Sequence, residues 1–137
     1  MIRSEHGYIP VSGHIQKQLA QMPEFHRDEM PDFVIHEYRP LIDSSDMTPE
    51  DWQHIADDIQ RNYERYDGFV ILHGTDTMAF TASALSFMLE NLGKPVIVTG
   101  SQIPLVELRS DGQTNLLNAL YIAANYPINE VCLFFNN

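Results

Sequence analysis

Residues 68–78 read GFVILHGTDTM, and the fold turns on how this stretch is parsed. Phe69-Val70-Ile71-Leu72 is a short apolar run rich in β-branched residues. A run without alternation predicts a strand buried on both faces, as in a parallel sheet. It stops at His73-Gly74. After Thr75, Asp76 and Thr77 a helical period begins at Met78 and passes through Thr81, Ala82, Leu85 and Phe87-Met88-Leu89. Open α/β sheets hold ligands beyond the carboxyl ends of their strands. Thr75 and Asp76 would there offer a positioned hydroxyl and an anion, beside the unpaired N–H groups and positive partial charge of a helix N-terminus. Thr and Asp are also ordinary helix N-caps. Spacing alone leaves both readings open.

The rest of the chain supplies the other layers. Residues 1–31 are punctuated by Gly7, Pro10, Gly13, Pro23 and Pro31. Ile15, Leu19 and Met22 predict a short helix near 13–21, with no strand before it. Residues 33–38, FVIHEY, form the first strand candidate, with the weak alternation of an edge. Thr48-Pro49-Glu50-Asp51 is a helix start: a capping Thr, Pro at the first helical position, acids in the first turn. Trp52, Ile55, Ala56, Ile59 and Tyr63 continue that helix to about Arg65. The helix after Thr77 is expected to reach Leu92, with Gly93 as its cap. Residues 95–100, PVIVTG, read as the next buried strand, and 101–110 as a loop. Asp111 is placed to cap a helix carrying Leu116, Leu117, Leu120, Tyr121 and Ala124. Residues 130–135, EVCLFF, read as the last strand. The order β-α-β-α-β-α-β predicts an α/β fold, a doubly wound, mainly parallel sheet flanked by helices. A parallel strand needs cover on both faces. The last strand has no following element, so a segment truncated at both ends is expected.

The chain has 137 residues, 44% of them hydrophobic, enough for one core. Eight Lys and Arg against 19 Asp and Glu give a net charge of −11, which argues against nucleic acid and anionic membranes as partners. Cys132 lies in an apolar run and reads as a small buried hydrophobe. No apolar run has the length of a membrane span, and no signal-peptide pattern is visible in MIRSEHGYIP.

HGTDT after an apolar strand resembles the second signature of the bacterial-type L-asparaginases. The resemblance to the type I, cytoplasmic-type members extends along the chain, through DSSDMTPEDW (43–52), GFVILHGTDTMA (68–79), KPVIVTGSQIPL (94–105) and RSDGQTNLLNAL (109–120). It implies an asparaginase N-terminal domain-like fold, with residues 1–137 a partial N-terminal catalytic domain and the C-terminal domain absent. It implies hydrolysis of L-asparagine to L-aspartate and ammonia through a Thr nucleophile and an acyl-enzyme, without metal or cofactor. That nucleophile belongs to a Thr-Gly-Gly-Thr-Ile/Leu motif expected just before residue 1. A catalytic Lys is expected beyond the last strand. With both missing, the segment alone is expected to be inactive. Thr75 and Asp76 match the family's catalytic Thr and Asp, and Asp76 also the group that binds the substrate α-ammonium. Asp43, Ser44 and Ser45 match the loop that holds the α-carboxylate; without the resemblance they read as a polar loop before a capped helix. Tyr8 matches the Tyr of the loop that closes over the site, or is a surface residue. Ser101 matches a position lending a backbone carbonyl to the leaving amide. The family further implies a cytoplasmic location and a homo-oligomer, dimer or tetramer.

Other chemistries lack their patterns. The six histidines, His6, His14, His26, His36, His54 and His73, include no HExxH pair, and a metal site is not expected. His73 reads as a packed residue with a satisfied ring nitrogen. There is no GxSxG elbow, no GxxxxGK[ST] and no GxGxxG. The acids Glu50, Asp51, Asp57 and Asp58 read as the solvated face and first turn of a helix. The readings that stay beside asparaginase are a glutaminase or the asparaginase-like subunit of a tRNA-dependent amidotransferase. From another class, a non-catalytic amino-acid-binding or interaction domain on the same scaffold also stays.

Overall fold

The computed structural model describes residues 2–4, 7–9, 13–105 and 107–136, the first six in their backbone alone. Three parallel strands form its sheet: β3 (Phe69–Leu72), β4 (Val96–Thr99) and β5 (Val131–Leu133), in the order β3-β4-β5. Phe69 stands opposite Val96 and Val96 opposite Val131, so the strands run in step. Helix α3 (Met78–Met88) joins β3 to β4, and α4 (Gly112–Asn125) joins β4 to β5. Helices α1 (His14–Ala20) and α2 (Pro49–Asn62) precede the sheet.

Successive strand residues face opposite sides of a sheet. Phe69 and Ile71 pack with Ile55, Ala56 and Ile59 of α2 and Leu85 of α3, whereas Val70 packs with Leu19 of α1, Phe25 and Leu116 of α4. The helices therefore cover both faces, as the sequence predicts for a doubly wound sheet. The start of α2 also forms as read. Asp51 accepts hydrogen bonds from the Thr48 N–H (2.8 Å) and the Thr48 hydroxyl (3.1 Å), and Pro49 takes the first position.

Several expectations need correction. A hairpin precedes α1: β1 (Ile2–Ser4) pairs antiparallel with β2 (Gly7–Ile9). Strands of three residues are too short to show a period. Residues 33–38 form no strand, because among the described residues nothing pairs with them. Their side chains instead reach α2, where Asp58 accepts hydrogen bonds from His36 and Tyr38 at 3.2 Å each. Asp58 is thus a tether rather than one more acid on a solvated face. Burial, with the Asp58 charge added, pushes the Tyr38 phenol well above its ordinary value. The strand buried on both faces is β4, whose four residues are all buried; β3 lies at the edge of the three described strands and is only half-buried. Helix α3 stops at Met88 rather than Leu92, and the chain turns through Asn91 in the left-handed region (φ 53°), where Asn is tolerated better than most residues.

Leu85 is fully buried where α2, α3 and the sheet meet. Leu85→Ala removes that contact and leaves a cavity, at a cost of about 2–5 kcal/mol. The expected result in urea unfolding is a lower midpoint with an unchanged slope.

Candidate active site

The polar residues gather where β3 and β4 end. The His73 N–H donates to the Thr99 carbonyl at 2.8 Å and carries the pairing one step past the strands. Two glycines then permit an approach that any side chain would block. A Cβ on Gly74 would lie 2.3 Å from Ser44 Oγ, and one on Gly100 would lie 2.2 Å from the His73 carbonyl oxygen. The turn after β3 is thus pressed between the end of β4 and the Ser44–Asp46 3₁₀ turn.

Two hydrogen bonds fasten that turn to the sheet edge. Thr77 Oγ1 donates to the Ser44 carbonyl (2.7 Å), and Ser44 Oγ donates to Asp76 Oδ2 (3.3 Å). Ser44 is buried, while Thr75 and Asp76 are exposed. Neither Thr75 nor Asp76 caps α3. Thr77 occupies the N-cap position, and its hydroxyl is spent on Ser44. Asp76 therefore presents a carboxylate beside the helix N-terminus with one oxygen holding Ser44. The favourable partial charge there stabilises an anion.

Asp43 and Ser45 face each other. The Asp43 carboxylate accepts from the Ser45 N–H (3.0 Å) and the Ser45 hydroxyl (2.8 Å), and these donors hold it below its usual range. The structure thus brings Ser44 to Asp76 and keeps Asp43 with Ser45 as the brace of the same turn. Ser101 follows β4 and lies against Gly112, where an added Cβ would approach its own Cβ to 2.9 Å. Tyr8 lies on β2 opposite Arg3; its side chain is outside the described residues.

The loop after β4 has its own fastening. Asp111 does not cap α4, as its position suggested. Its two oxygens accept from the Gln102 and Ile103 N–H groups, both at 2.9 Å. Partial burial opposes the charge, but these donors prevail and hold the carboxyl below its ordinary value. Ser110 takes the place at the helix entry, accepting from the Gly112 N–H at 3.0 Å. Asn115, fully buried, donates to the Gly100 carbonyl (2.9 Å) and accepts from the Asn136 N–H (3.1 Å), clamping the ends of β4 and β5. Asn115 belongs to no catalytic or binding motif of the sequence. A single Asn inside an apolar helix face was the available signal.

A second layer lies beneath the exposed one. His73 Nδ1 is 2.6 Å from the Gly74 carbonyl, and its Nε2 is 2.8 Å from Thr81 Oγ1. Trp52 Nε1 donates to Thr81 Oγ1 at 2.9 Å. Burial holds the His73 pKa below its ordinary value, outweighing the opposing bond to Gly74, so the ring is neutral at pH 7. This is the packed, satisfied histidine the sequence suggested. Among the described residues no cluster of His, Cys, Asp or Glu is arranged to hold a metal ion.

The chain matches the family described as Asparaginase, N-terminal, over residues 1–137 and belongs to that family. It is 85% identical over all 137 residues to L-asparaginase 1 of Escherichia coli (strain K12), covering 40% of that protein. Among solved structures it resembles L-asparaginase I of Vibrio cholerae O1 biovar eltor str. N16961, with a TM-score of 0.88 and 81% identity. That match covers 93% of this chain and 39% of the other. The L-asparaginase of Thermococcus kodakarensis aligns with a TM-score of 0.79 at 37% identity, over 98% of this chain and 40% of that one. The chain thus spans about 40% of the length of the curated relatives it matches at full length.

The neutral His73 has a consequence for pH dependence. The unfolded chain binds a proton near the ordinary value of 6.5, whereas the folded ring resists protonation to lower pH. Stability is therefore complete above about pH 6.5 and falls as pH drops below it, by at most about 1.4 kcal/mol per pH unit for one such group. His73→Gln removes this dependence. Urea midpoints measured between pH 5 and 7.5 should show a shallower acid-side decline for the variant than for the parent.

Proposed function

We propose that this chain is the substrate-holding part of an L-asparaginase that hydrolyses L-asparagine to L-aspartate and ammonia. The observation that carries the reading is the Ser44–Asp76 contact, which joins two loops 32 residues apart at the carboxyl ends of the sheet. In this reading the Asp76 carboxylate pairs with the substrate α-ammonium through a charge-assisted hydrogen bond. Ser44 meets the α-carboxylate, with the Asp43–Ser45 pair stiffening its turn. Thr75 presents its exposed hydroxyl to the reacting amide as one member of a Thr-Asp-Lys set. The nucleophilic Thr and the Lys come from outside these 137 residues. Lys94 is a poor substitute, since it donates to the Tyr63 carbonyl at the amino end of β4, opposite the site. Tyr8 closes over the ligand, and Ser101 offers its carbonyl to the leaving amide.

The whole protein acts in the cytoplasm in this reading; among the described residues no helix is long and apolar enough to cross a membrane. It acts as a homo-oligomer. Phe80 and Phe87, one heptad apart on α3, are 66% and 85% exposed, an apolar surface that association would cover.

The direct test places this chain in E. coli L-asparaginase 1 in place of the 137 residues it matches, and measures ammonia release. The chimera should turn over asparagine. Thr75→Ala and Asp76→Ala should each lower kcat/KM by roughly 10²–10⁴-fold. Ser44→Ala should act mainly on KM, by about tenfold or more, as for a hydrogen bond to a charged group. A folded chimera without asparagine hydrolysis would overturn the proposal.

A further inference from the structure

In the Trp52–Thr81–His73 layer the hydrogens are assigned from the partners and their distances. The Gly74 carbonyl can only accept, so His73 Nδ1 carries the ring proton. The Trp52 indole can only donate, so the Thr81 oxygen accepts from it. In the neutral ring Nε2 is then an acceptor, and at 2.8 Å it is a nearer and stronger one for the Thr81 hydroxyl than Met47 Sδ at 3.5 Å. Donation runs one way, from Trp52 to Thr81 to His73 to the Gly74 carbonyl.

We infer that Thr81 is a positioning residue for the hydrolysis proposed above: by holding His73 Nε2 it fixes the imidazole ring that aims the Gly74–Thr75 peptide, and with it the Thr75 hydroxyl. Thr81 touches no substrate; it sits on the buried face of α3, wholly inaccessible. Its influence passes through the Nδ1–H bond, which holds the carbonyl immediately before Thr75. The same oxygen connects the substrate loop, because Met47 Sδ lies 3.5 Å away and Trp52 belongs to the helix that follows that loop. Gly74 has no Cβ and a wide choice of conformations. A fixed carbonyl therefore matters more at this residue than at its neighbours.

The inference rests on the proposed asparaginase activity, and the experiment separates the two. In the chimera described above, Thr81→Val keeps the shape and removes the hydroxyl. It should lower kcat by about 10–100-fold, the scale of a small misplacement of a reacting group, with KM little changed. Thr81→Ser, which keeps the hydroxyl, should restore kcat to within about threefold of the parent. Should Thr81→Val not fold, His73→Asn replaces it. Its side-chain amide takes the place of Nδ1 and should retain more activity than His73→Leu. Long-range ¹H–¹⁵N NMR on His-labelled protein should show a protonated Nδ1 and a bare Nε2 at His73. Parental kcat in folded Thr81→Val, His73→Asn no better than His73→Leu, or a protonated Nε2 in the parent would each overturn the inference. A parent chimera that releases no ammonia refutes the proposed activity instead, and the NMR assignment alone then decides the relay.

Discussion

The site depends on clearances too small for a side chain. Gly74 faces Ser44, and Gly100 faces the His73 carbonyl, each at a separation that a methyl group would violate. Three segments distant in sequence, the turn at Ser44, the turn after β3 and the end of β4, are thereby stacked in close contact. Hydrogen bonds then become available between them without long side chains as intermediaries, from Thr77 Oγ1 to the Ser44 carbonyl at 2.7 Å and from the His73 N–H to the Thr99 carbonyl at 2.8 Å. Short connectors have few rotamers to freeze, so little conformational entropy opposes the arrangement. This is the physical reason that a serine and a threonine, Ser44 and Thr77, rather than arginines or lysines, join the two loops.

The two layers at the sheet edge divide the work by charge. Asp76 and Asp43 are exposed, where water and neighbouring N–H groups support their charge at little cost. Below them Trp52, Thr81 and His73 are held by hydrogen bonds between uncharged groups. A buried polar group is tolerable only when each of its atoms has a partner, and here the indole, the hydroxyl and both ring nitrogens do. An ionised His73 would lose this balance and incur desolvation as well. Rigidity is therefore supplied from below by neutral groups, and the exposed charges lie above them.

The legibility of the chain follows the same division. Phe69–Leu72, Val96–Thr99 and the run around Cys132 were readable as strands because helices on both faces demand uninterrupted apolar residues. The start of α2 was readable because its bonds are local: Thr48 and Asp51 are one turn apart. What failed was non-local. Residues 33–38 have strand composition but no partner strand among the described residues, and composition does not carry pairing. Asp111 sits at a capping position, yet the N–H groups of Gln102 and Ile103 compete for its carboxylate, and a loop nine residues back is invisible to a helix rule. At the candidate site, spacing leaves Thr75 and Asp76 readable as helix caps and Ser44 as a polar loop residue, and resemblance singles out all three. Thr81 was read only as part of an apolar stripe, since a threonine methyl packs like valine and its hydroxyl shows its use only when Trp52 and His73 arrive in space.

Asn115 makes the complementary case from the other side of β4. Its amide holds the Gly100 carbonyl, and its oxygen holds the Asn136 N–H beyond β5. Thr81 and Asn115 thus grip opposite flanks of one edge, one through the His73 turn and one through the strand ends. Both are fully buried, both are uncharged, and both project from helices that directly follow the loops they secure. A helix anchored along its length by core contacts, as α3 is through Leu85 and α4 through Leu116, is a stiffer mount than any loop. The loops therefore need no intrinsic rigidity. Their geometry is borrowed from the sheet and helices through single polar side chains, which leaves Thr75 exposed to solvent while Asp76 keeps one oxygen on Ser44.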